Sequence, residues 1–168
     1  RNGTKAVGHL LSEIHSEECG LAKNAYDKLV RTVLACAADI CYTDKKSKKL
    51  RLKENKQVFK DGSERKRDYL TMSVYGKMKP GEDRKKAMGR EIEEELGIEE
   101  KDYSLSYRGI NEQTVEARSY PGLLTHYTWY EFVVELAEDG FKPEGYKEVQ
   151  SDKTTYFVWE KATGKNPS

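Results

Sequence analysis

With 168 residues, the chain is long enough for one domain with its own hydrophobic core and too short for two of ordinary size. Charged residues make up 35% of it, but its eleven tyrosines, four phenylalanines and two tryptophans exclude a chain that stays unfolded. The net charge of +1 hides opposite local charges, because residues 45–68 hold eleven Lys or Arg against four Asp or Glu, and residues 91–100 hold six Glu and no Lys or Arg. The composition therefore predicts a folded domain and says little about its partners.

The three cysteines are odd in number and lack a CxxC spacing. This pattern is typical of reduced thiols in an intracellular protein and not of a disulfide framework or a zinc site. No apolar run reaches the roughly 18 residues needed to span a bilayer, so we expect a cytoplasmic protein without membrane contact. Because the sequence starts at Arg1, we expect an excised domain from which a targeting segment can be missing. No signature of an oligomeric state is legible.

Residues 1–29 are predicted to form an N-terminal helical extension, and residues 30–168 the main domain. Apolar residues recur with helix-like spacing from Val7 to Leu29, with an interruption near Gly20, which predicts one or two short helices. The next stretch, from Val30 to Tyr42, is rich in β-branched and small apolar residues. This composition predicts a buried strand.

The basic segment that follows, residues 43–68, is predicted to be a loop or an exposed hairpin with a turn at Asp61 and Gly62. Its most basic part, residues 45–67, is a candidate contact for RNA phosphates or a polyphosphate. The alternative is a solvated, mobile loop.

A second predicted strand runs up to Gly76, and Pro80 with Gly81 marks a turn. A helix is predicted from near Asp83 to Gly97, where glycine suits the position after a helix. Further strands are predicted at 103–110, 125–136 and 154–160. Strands around a central helix indicate a mixed α/β domain.

The predicted helix carries an acidic face. Residues three and four apart share a helix face, so Glu91, Glu94 and Glu95 project together, beside an apolar stripe of Met88, Ile92 and Leu96. Three carboxylates this close repel one another unless a cation lies among them, and hard oxygen ligands favour Mg²⁺, Mn²⁺ or Ca²⁺. The alternative is a solvated helix face, because glutamate is a good helix former.

The spacing from Gly76 to Ile98 resembles the Nudix box, GX5EX7REUXEEXGU with U an aliphatic residue, at every specified position. The specified residues are Gly76, Glu82, Arg90, Glu91, Ile92, Glu94, Glu95, Gly97 and Ile98. The resemblance implies a Nudix-type α/β/α sandwich with a mixed sheet. It also implies a Mg²⁺-dependent (or Mn²⁺-dependent) hydrolase that cleaves a pyrophosphate bond in a nucleoside diphosphate linked to another moiety.

Roles follow from the resemblance position by position. It implies that Glu91, Glu94 and Glu95 are metal ligands and catalytic residues, with the Gly76 carbonyl as a further candidate ligand. Glu82 and Arg90 would form a supporting pair that orients the loop and the helix. The reaction needs a general base, and Glu94 or Glu95 is the first choice.

Outside the box, three later glutamates are alternative candidates for the general base: Glu112, Glu116 and Glu131. Glu131 shares a strand face with Trp129 and Val133, an unusual place for a charge unless it faces the site. Arg118 is predicted to pair with a substrate phosphate, and Tyr120 or Tyr127 to stack on a base. Glu131 is also a candidate substrate-binding residue.

Two other functions remain open from the sequence. The first is a non-catalytic module on a Nudix scaffold that binds a ligand such as ADP-ribose or RNA inside a larger protein. The second is an RNA-binding domain driven by the basic segment, with the box vestigial.

Overall fold

The computed structural model describes residues 5, 7–17, 19–116 and 119–162, and this part of the chain folds into two α-helices and nine β-strands. In chain order they are α1 (Val7–His15), β1 (Gly20–Lys23), β2 (Leu29–Thr43), β3 (Lys49–Phe59), β4 (Glu64–Arg65), β5 (Val74–Met78), α2 (Arg84–Leu96), β6 (Tyr103–Glu116), β7 (Leu124–Leu136), β8 (Tyr146–Val149) and β9 (Lys153–Lys161). Neither helix is long and apolar enough to cross a membrane.

All nine strands belong to one sheet. The main strand order is β6-β7-β2-β3-β9-β8, with β1 and β5 paired to β2 and β4 paired to β3. The β2–β7 pairing is parallel and the other pairings are antiparallel. The predicted α/β class with a mixed sheet is therefore confirmed.

Strand β2 is the centre of the sheet, because its small and β-branched side chains let neighbours pack closely on both faces. Successive side chains of a strand point to opposite faces. The even-numbered residues from Cys36 to Ile40 face α2, whose buried Met88, Ile92 and Leu96 complete the main hydrophobic core. We call this side the helix face of the sheet and the other side the opposite face.

Helix α1 lies against the opposite face. Its Glu13 contacts Arg31 of β2, with 3.5 Å between Glu13 Oε2 and Arg31 Nη2, and Arg31 points away from α2 because its position is odd-numbered. One helix thus lies on each side of the sheet. This layering is the α/β/α sandwich that the resemblance implied.

Helix α2 begins and ends where the sequence predicted. Asp83 is its N-cap and accepts a hydrogen bond from the Lys86 backbone N–H at 2.9 Å. Gly97 ends the helix in the left-handed conformation, with φ of 69°. Because glycine adopts this conformation without strain, the chain turns sharply into the buried Ile98.

Elsewhere the elements differ from the prediction in three places. One helix, α1, is present in the N-terminal region, but Gly20–Lys23 forms β1, because this segment pairs with β2 through residues 29–32. The segment 43–68 is a hairpin with the predicted Asp61–Gly62 turn, and β3 also lies inside the sheet, against β9. Strand β8 was not predicted at all. The domain boundary at residue 30 stays a prediction.

Candidate active site

Gly76 and Glu91 bring β5 against α2. A Cβ atom added at residue 76 would overlap Glu91 Cγ and Cδ and lie 2.8 Å from Glu91 Oε1. Only glycine therefore leaves room for the Glu91 side chain to lie over the strand. Glu91 is half-buried in this position, so its carboxylate stays at the boundary between the sheet and the helix.

Glu82 and Arg90 connect the loop before α2 to the helix. Glu82 Oε1 is 2.9 Å from Arg90 Nη2, and Glu82 Oε2 accepts a hydrogen bond from the Lys79 backbone N–H at 3.0 Å. Arg90 Nη1 also lies 3.2 Å from Glu91 Oε1. The supporting role predicted for Glu82 and Arg90 stays a prediction, and these contacts are the ones that it requires.

Negative charge accumulates along the buried side of α2. Burial raises the pKa of Glu91 to about 7, helped by the charges of Glu94, Glu148 and Glu82, while Arg90 opposes the shift. Burial also raises the pKa of Glu95 to about 9, helped mainly by Glu148 and Glu91. These carboxyl groups lie close enough to disfavour one another's ionisation.

Glu148 of β8 belongs to the same cluster, although no local sequence pattern predicted it. Burial raises its pKa, as do the charges of Glu94 and Glu54, and Lys153 opposes the shift. Glu148 is half-buried on a short edge strand that packs beside α2. The fold thus adds a fourth carboxylate to the three predicted from the helix.

Glu54 and Arg67 complete the surroundings of Glu95. Glu54 of β3 is 8% exposed, and both of its carboxylate oxygens accept hydrogen bonds from Arg67, one of them from Nε at 2.8 Å. Arg67 also lowers the pKa of Glu95, against the larger effects of burial and the neighbouring carboxylates. A fixed cation therefore borders the carboxylate cluster on the side of β3.

The donor atoms of this cluster are of the kind that Mg²⁺ and Mn²⁺ prefer, since all of them are oxygens. In the described part of the chain, however, no three His, Cys, Asp or Glu side chains converge in an arrangement that would hold a metal ion. The carboxylates are close enough to shift one another's pKa values, but their oxygens do not point to one common position. The carboxylates are near neighbours, and they would have to rotate toward a common point to share a cation.

A cavity of about 400 Å³ opens beside Glu91. It is lined by Lys77, Met78, Lys79, Glu82, Arg90 and Glu91. Lys79 and Arg90 contribute cationic side chains, and Glu82 and Glu91 contribute carboxylates. A cavity with both charges can take an anionic phosphate chain together with a cation, because each finds an opposite charge on the wall.

The three alternative candidates for the general base lie away from this cluster. Glu112 contacts His126, with 3.5 Å between Glu112 Oε1 and His126 Nε2, and Glu116 accepts a hydrogen bond from the Gly122 backbone N–H. Glu131 accepts a hydrogen bond from Asn111 Nδ2 at 3.2 Å and points to the opposite face of the sheet. Their role as base stays a prediction, and Glu148 lies closer to the box carboxylates.

Arg118 lies outside the described residues. Tyr120 is 6% exposed, and its ring lies beside the Arg31 guanidinium, with 5.0 Å from Arg31 Cζ to the ring centroid. Burial and the charge of Glu13 raise the pKa of Tyr120 to about 12. Stacking of Tyr120 on a base stays a prediction, and it would require the ring to become accessible.

Many cations of the basic segment are already paired with carboxylates. The ion pairs are Lys45 with Glu138, Lys49 with Glu135, Arg51 with Asp39 and Glu160, Lys56 with Glu64, and Arg67 with Glu54. This pairing lowers the positive potential that RNA or a polyphosphate would meet. Contact with such a partner through residues 45–67 stays a prediction.

The chain matches no protein family model and no curated protein. Among solved structures it is similar to the C. elegans Ap4A hydrolase, at 18% identity over 77% of this chain and 80% of that chain, with a TM-score of 0.45. It is similar to the E. coli dihydroneopterin triphosphate pyrophosphohydrolase at 19% identity over 76% and 78%, with a TM-score of 0.44.

A Nudix hydrolase of M. smegmatis, RenU, is similar at 13% identity over 71% of this chain and 68% of that chain, with a TM-score of 0.38. Likeness at these identities and TM-scores establishes neither the family nor the reaction of this chain.

Proposed function

We propose that this chain is a Nudix hydrolase that cleaves a pyrophosphate bond in a nucleoside diphosphate linked to another moiety. One observation carries the proposal. The nine specified positions of the box fall on a strand, a loop, a capped helix and its stop, and Gly76 at one end leaves the space that Glu91 in the helix occupies. A solvated acidic helix would not need this glycine.

Metal binding is part of the proposal. Glu91, Glu94 and Glu95 would hold Mg²⁺ or Mn²⁺, with the Gly76 carbonyl and Glu148 as further oxygen donors. The raised pKa values of Glu91 and Glu95 support it, because a bound divalent cation would offset both causes of these shifts, burial and repulsion from neighbouring carboxylates. When bound, the cation would neutralise phosphoryl oxygens and lower the pKa of water.

Different residues of the chain would act as the general base and bind the phosphate chain. Water attacks one phosphorus of the pyrophosphate, the bond to the bridging oxygen breaks, and two phosphate-ended products leave. The proton of the water passes to Glu94 or Glu95 as the general base. Lys79 and Arg90 line the cavity beside Glu91 and would hold the phosphate chain by charge-assisted hydrogen bonds.

A panel of substrates tests the proposal. The chain is incubated with ADP-ribose, NADH, dinucleoside polyphosphates, nucleoside triphosphates, an inositol pyrophosphate and capped RNA, with and without Mg²⁺. We expect Mg²⁺-dependent release of phosphate-ended products from at least one nucleoside diphosphate derivative. Tight binding without turnover of any substrate would favour the non-catalytic module instead.

Three matched variants test whether turnover depends on the box glutamates Glu94 and Glu95 or simply on negative charge anywhere on α2. Glu94→Gln and Glu95→Gln are expected to lose turnover by at least about a hundredfold, the lower range for removing a general base. Glu93→Gln is the control, because Glu93 is exposed on the same helix and is not a specified position of the box. Equal loss of turnover in all three variants would contradict the assignment.

A further inference from the structure

Two aromatic side chains meet on the opposite face of the sheet. Tyr75 of β5 and Trp129 of β7 contact edge to face, with 5.4 Å between ring centroids. Tyr127 lies next to Trp129 on the same strand, with its ring nearly parallel and 5.6 Å away. All three side chains are half-buried, so they present an aromatic surface to solvent on the side of the sheet away from α2.

Small residues lie beneath this surface. Strand β2 runs between β5 and β7, and its Ala35 and Ala37 are paired with residues of both neighbours. Each alanine is 1% exposed, because the rings of Tyr75 and Trp129 meet above them. The small alanine side chains leave room for the two rings to approach each other over β2.

A carboxylate borders the aromatic surface. Glu131 follows Trp129 by two positions on β7 and therefore lies on the same face, and its Oε1 accepts a hydrogen bond from Asn111 Nδ2 at 3.2 Å. Within the described residues, no hydrogen bond or ion pair engages Glu131 Oε2. A half-buried carboxylate can accept more than one hydrogen bond, so Glu131 has acceptor capacity to spare.

We propose that this surface is a guanine-binding site, with the base stacked on Trp129 and read by Glu131. Proteins read unpaired bases by stacking them on aromatic side chains and by hydrogen bonds to the Watson–Crick edge. Guanine is the base that presents two adjacent donors there, N1–H and N2–H, and a carboxylate supplies two acceptors. Adenine, cytosine and uracil each place an acceptor against one of those oxygens.

Strand β5 joins this surface to the candidate active site. Tyr75 precedes Gly76, so Tyr75 points to the opposite face while Gly76 meets Glu91 on the helix face. Among the described strands β5 pairs with β2 alone, which leaves its other edge open. A nucleoside diphosphate would pass over this edge with its base on Trp129. As a substrate assignment, the proposal rests on the proposed function.

Binding of mononucleotides tests the base site without turnover. The chain has two tryptophans, Trp129 and Trp159. The measurement uses a Trp159→Phe variant, so that Trp129 is the remaining tryptophan fluorophore. GMP is expected to quench Trp129 fluorescence with a Kd at least about tenfold lower than that of AMP, because a site built for a pair of donors rejects an edge that lacks one. Equal affinity for GMP and AMP would overturn the proposal.

Glu131→Gln gives a sharper version of the test. Glutamine offers one acceptor and one donor, which matches the N1 and N6–H of adenine and can no longer accept from both N1–H and N2–H of guanine, so the GMP preference should shrink. Glu135→Gln is the control, since Glu135 lies on the same strand face and pairs with Lys49, farther along β7. Glu131→Asp keeps the carboxylate and should keep the direction of the preference. A preference unchanged by Glu131→Gln would overturn the proposal, provided that its thermal unfolding is native-like.

Hydrolysis assays distinguish this proposal from the proposed function. Selective GMP binding without turnover of any substrate would support the guanine site and contradict the enzyme. Mg²⁺-dependent turnover of ADP-linked and GDP-linked substrates at equal kcat/KM would support the enzyme and contradict the guanine site.

Discussion

Gly76 and Glu91 lie so close that the carboxylate side chain occupies the space of the missing Cβ atom. Gly76→Ala is therefore expected to push Glu91 off the strand. Because the overlapping atoms are Cγ and Cδ and not the end of the side chain, the helix or the strand must shift too, at a cost of about 1–3 kcal/mol. Turnover and Mg²⁺ affinity should both fall, as measured by product release and calorimetric titration.

Gly89→Ala is the matched control within α2. A Cβ atom at residue 89 would lie 3.2 Å from the Tyr103 hydroxyl oxygen, which is the end of a side chain and can move slightly. Alanine is a better helix former than glycine, so this variant should gain about 0.5–1 kcal/mol of stability and keep its activity. Equal loss of Mg²⁺ affinity in Gly76→Ala and Gly89→Ala would contradict the role of Gly76.

Stability should depend on pH through the raised carboxyl pKa values. The pKa of Glu95 is raised from an ordinary 4.5 to about 9, and that of Glu91 to about 7. Between pH 4.5 and these values, the folded chain keeps protons that the unfolded chain has lost, so the free energy of unfolding falls as pH rises. Urea unfolding without Mg²⁺ should therefore give a higher midpoint at pH 5 than at pH 9.

Glu95→Gln should make this pH dependence shallower, because glutamine carries no proton to lose. Glu93→Gln, on the exposed side of α2, should leave it as in the parent chain. Addition of Mg²⁺ should raise the midpoint more at pH 9 than at pH 5, since the cation replaces protons on ionised carboxylates. A parent midpoint that does not change with pH would count against the coupling of Glu91 and Glu95.

Glu148→Gln tests the carboxylate that β8 contributes. Removal of its charge should stabilise the metal-free protein at pH 8, because Glu148 raises the pKa of both Glu91 and Glu95. Mg²⁺ affinity should fall about 10–100-fold, the range for a residue that supports a metal site. The exposed Glu144, just before β8, serves as the control through Glu144→Gln. Calorimetry that finds the same affinity in Glu148→Gln as in the parent would exclude Glu148 from the site.

Arg67→Ala should destabilise the protein. It leaves the Glu54 carboxylate buried without its cation, and an unsatisfied buried acceptor costs about 1–3 kcal/mol. Lys66→Ala is the control, since Lys66 is exposed and makes no ion pair in the described part of the chain. Chemical denaturation of the two variants gives the difference, and equal midpoints would mean that the Arg67–Glu54 pair contributes nothing.

Local signals predicted helix α2 correctly. Asp83, Gly97 and the apolar stripe of α2 act within a few residues of one another, so the sequence alone fixes where α2 begins, where it ends and which face is buried. Strand β2 was equally legible from its composition. The short strands were not, because four residues carry too little periodicity to be distinguished from a loop.

The rest of the cluster depends on strand pairing across long sequence separations. Glu148 reaches the box through β8, which pairs with β9 and packs beside α2, and no local pattern marks it. A sequence pattern does mark Glu54. It follows Leu50 and Leu52 at alternate positions of β3, and a charge on an apolar strand face is the same signal that drew attention to Glu131. Its partner Arg67 could not be predicted, since it comes from the far end of the hairpin.

The proposed oxygen donors come from β5, α2 and β8, and β8 lies far from the other two in the sequence. A chain in which any one of these elements has not docked offers an incomplete set of oxygens. Magnesium uptake would then report that folding has been completed, and a ligand that binds only the finished fold shifts the balance against every partly folded species. Dissolved magnesium would in this way help to hold the native state together even when no nucleotide is present.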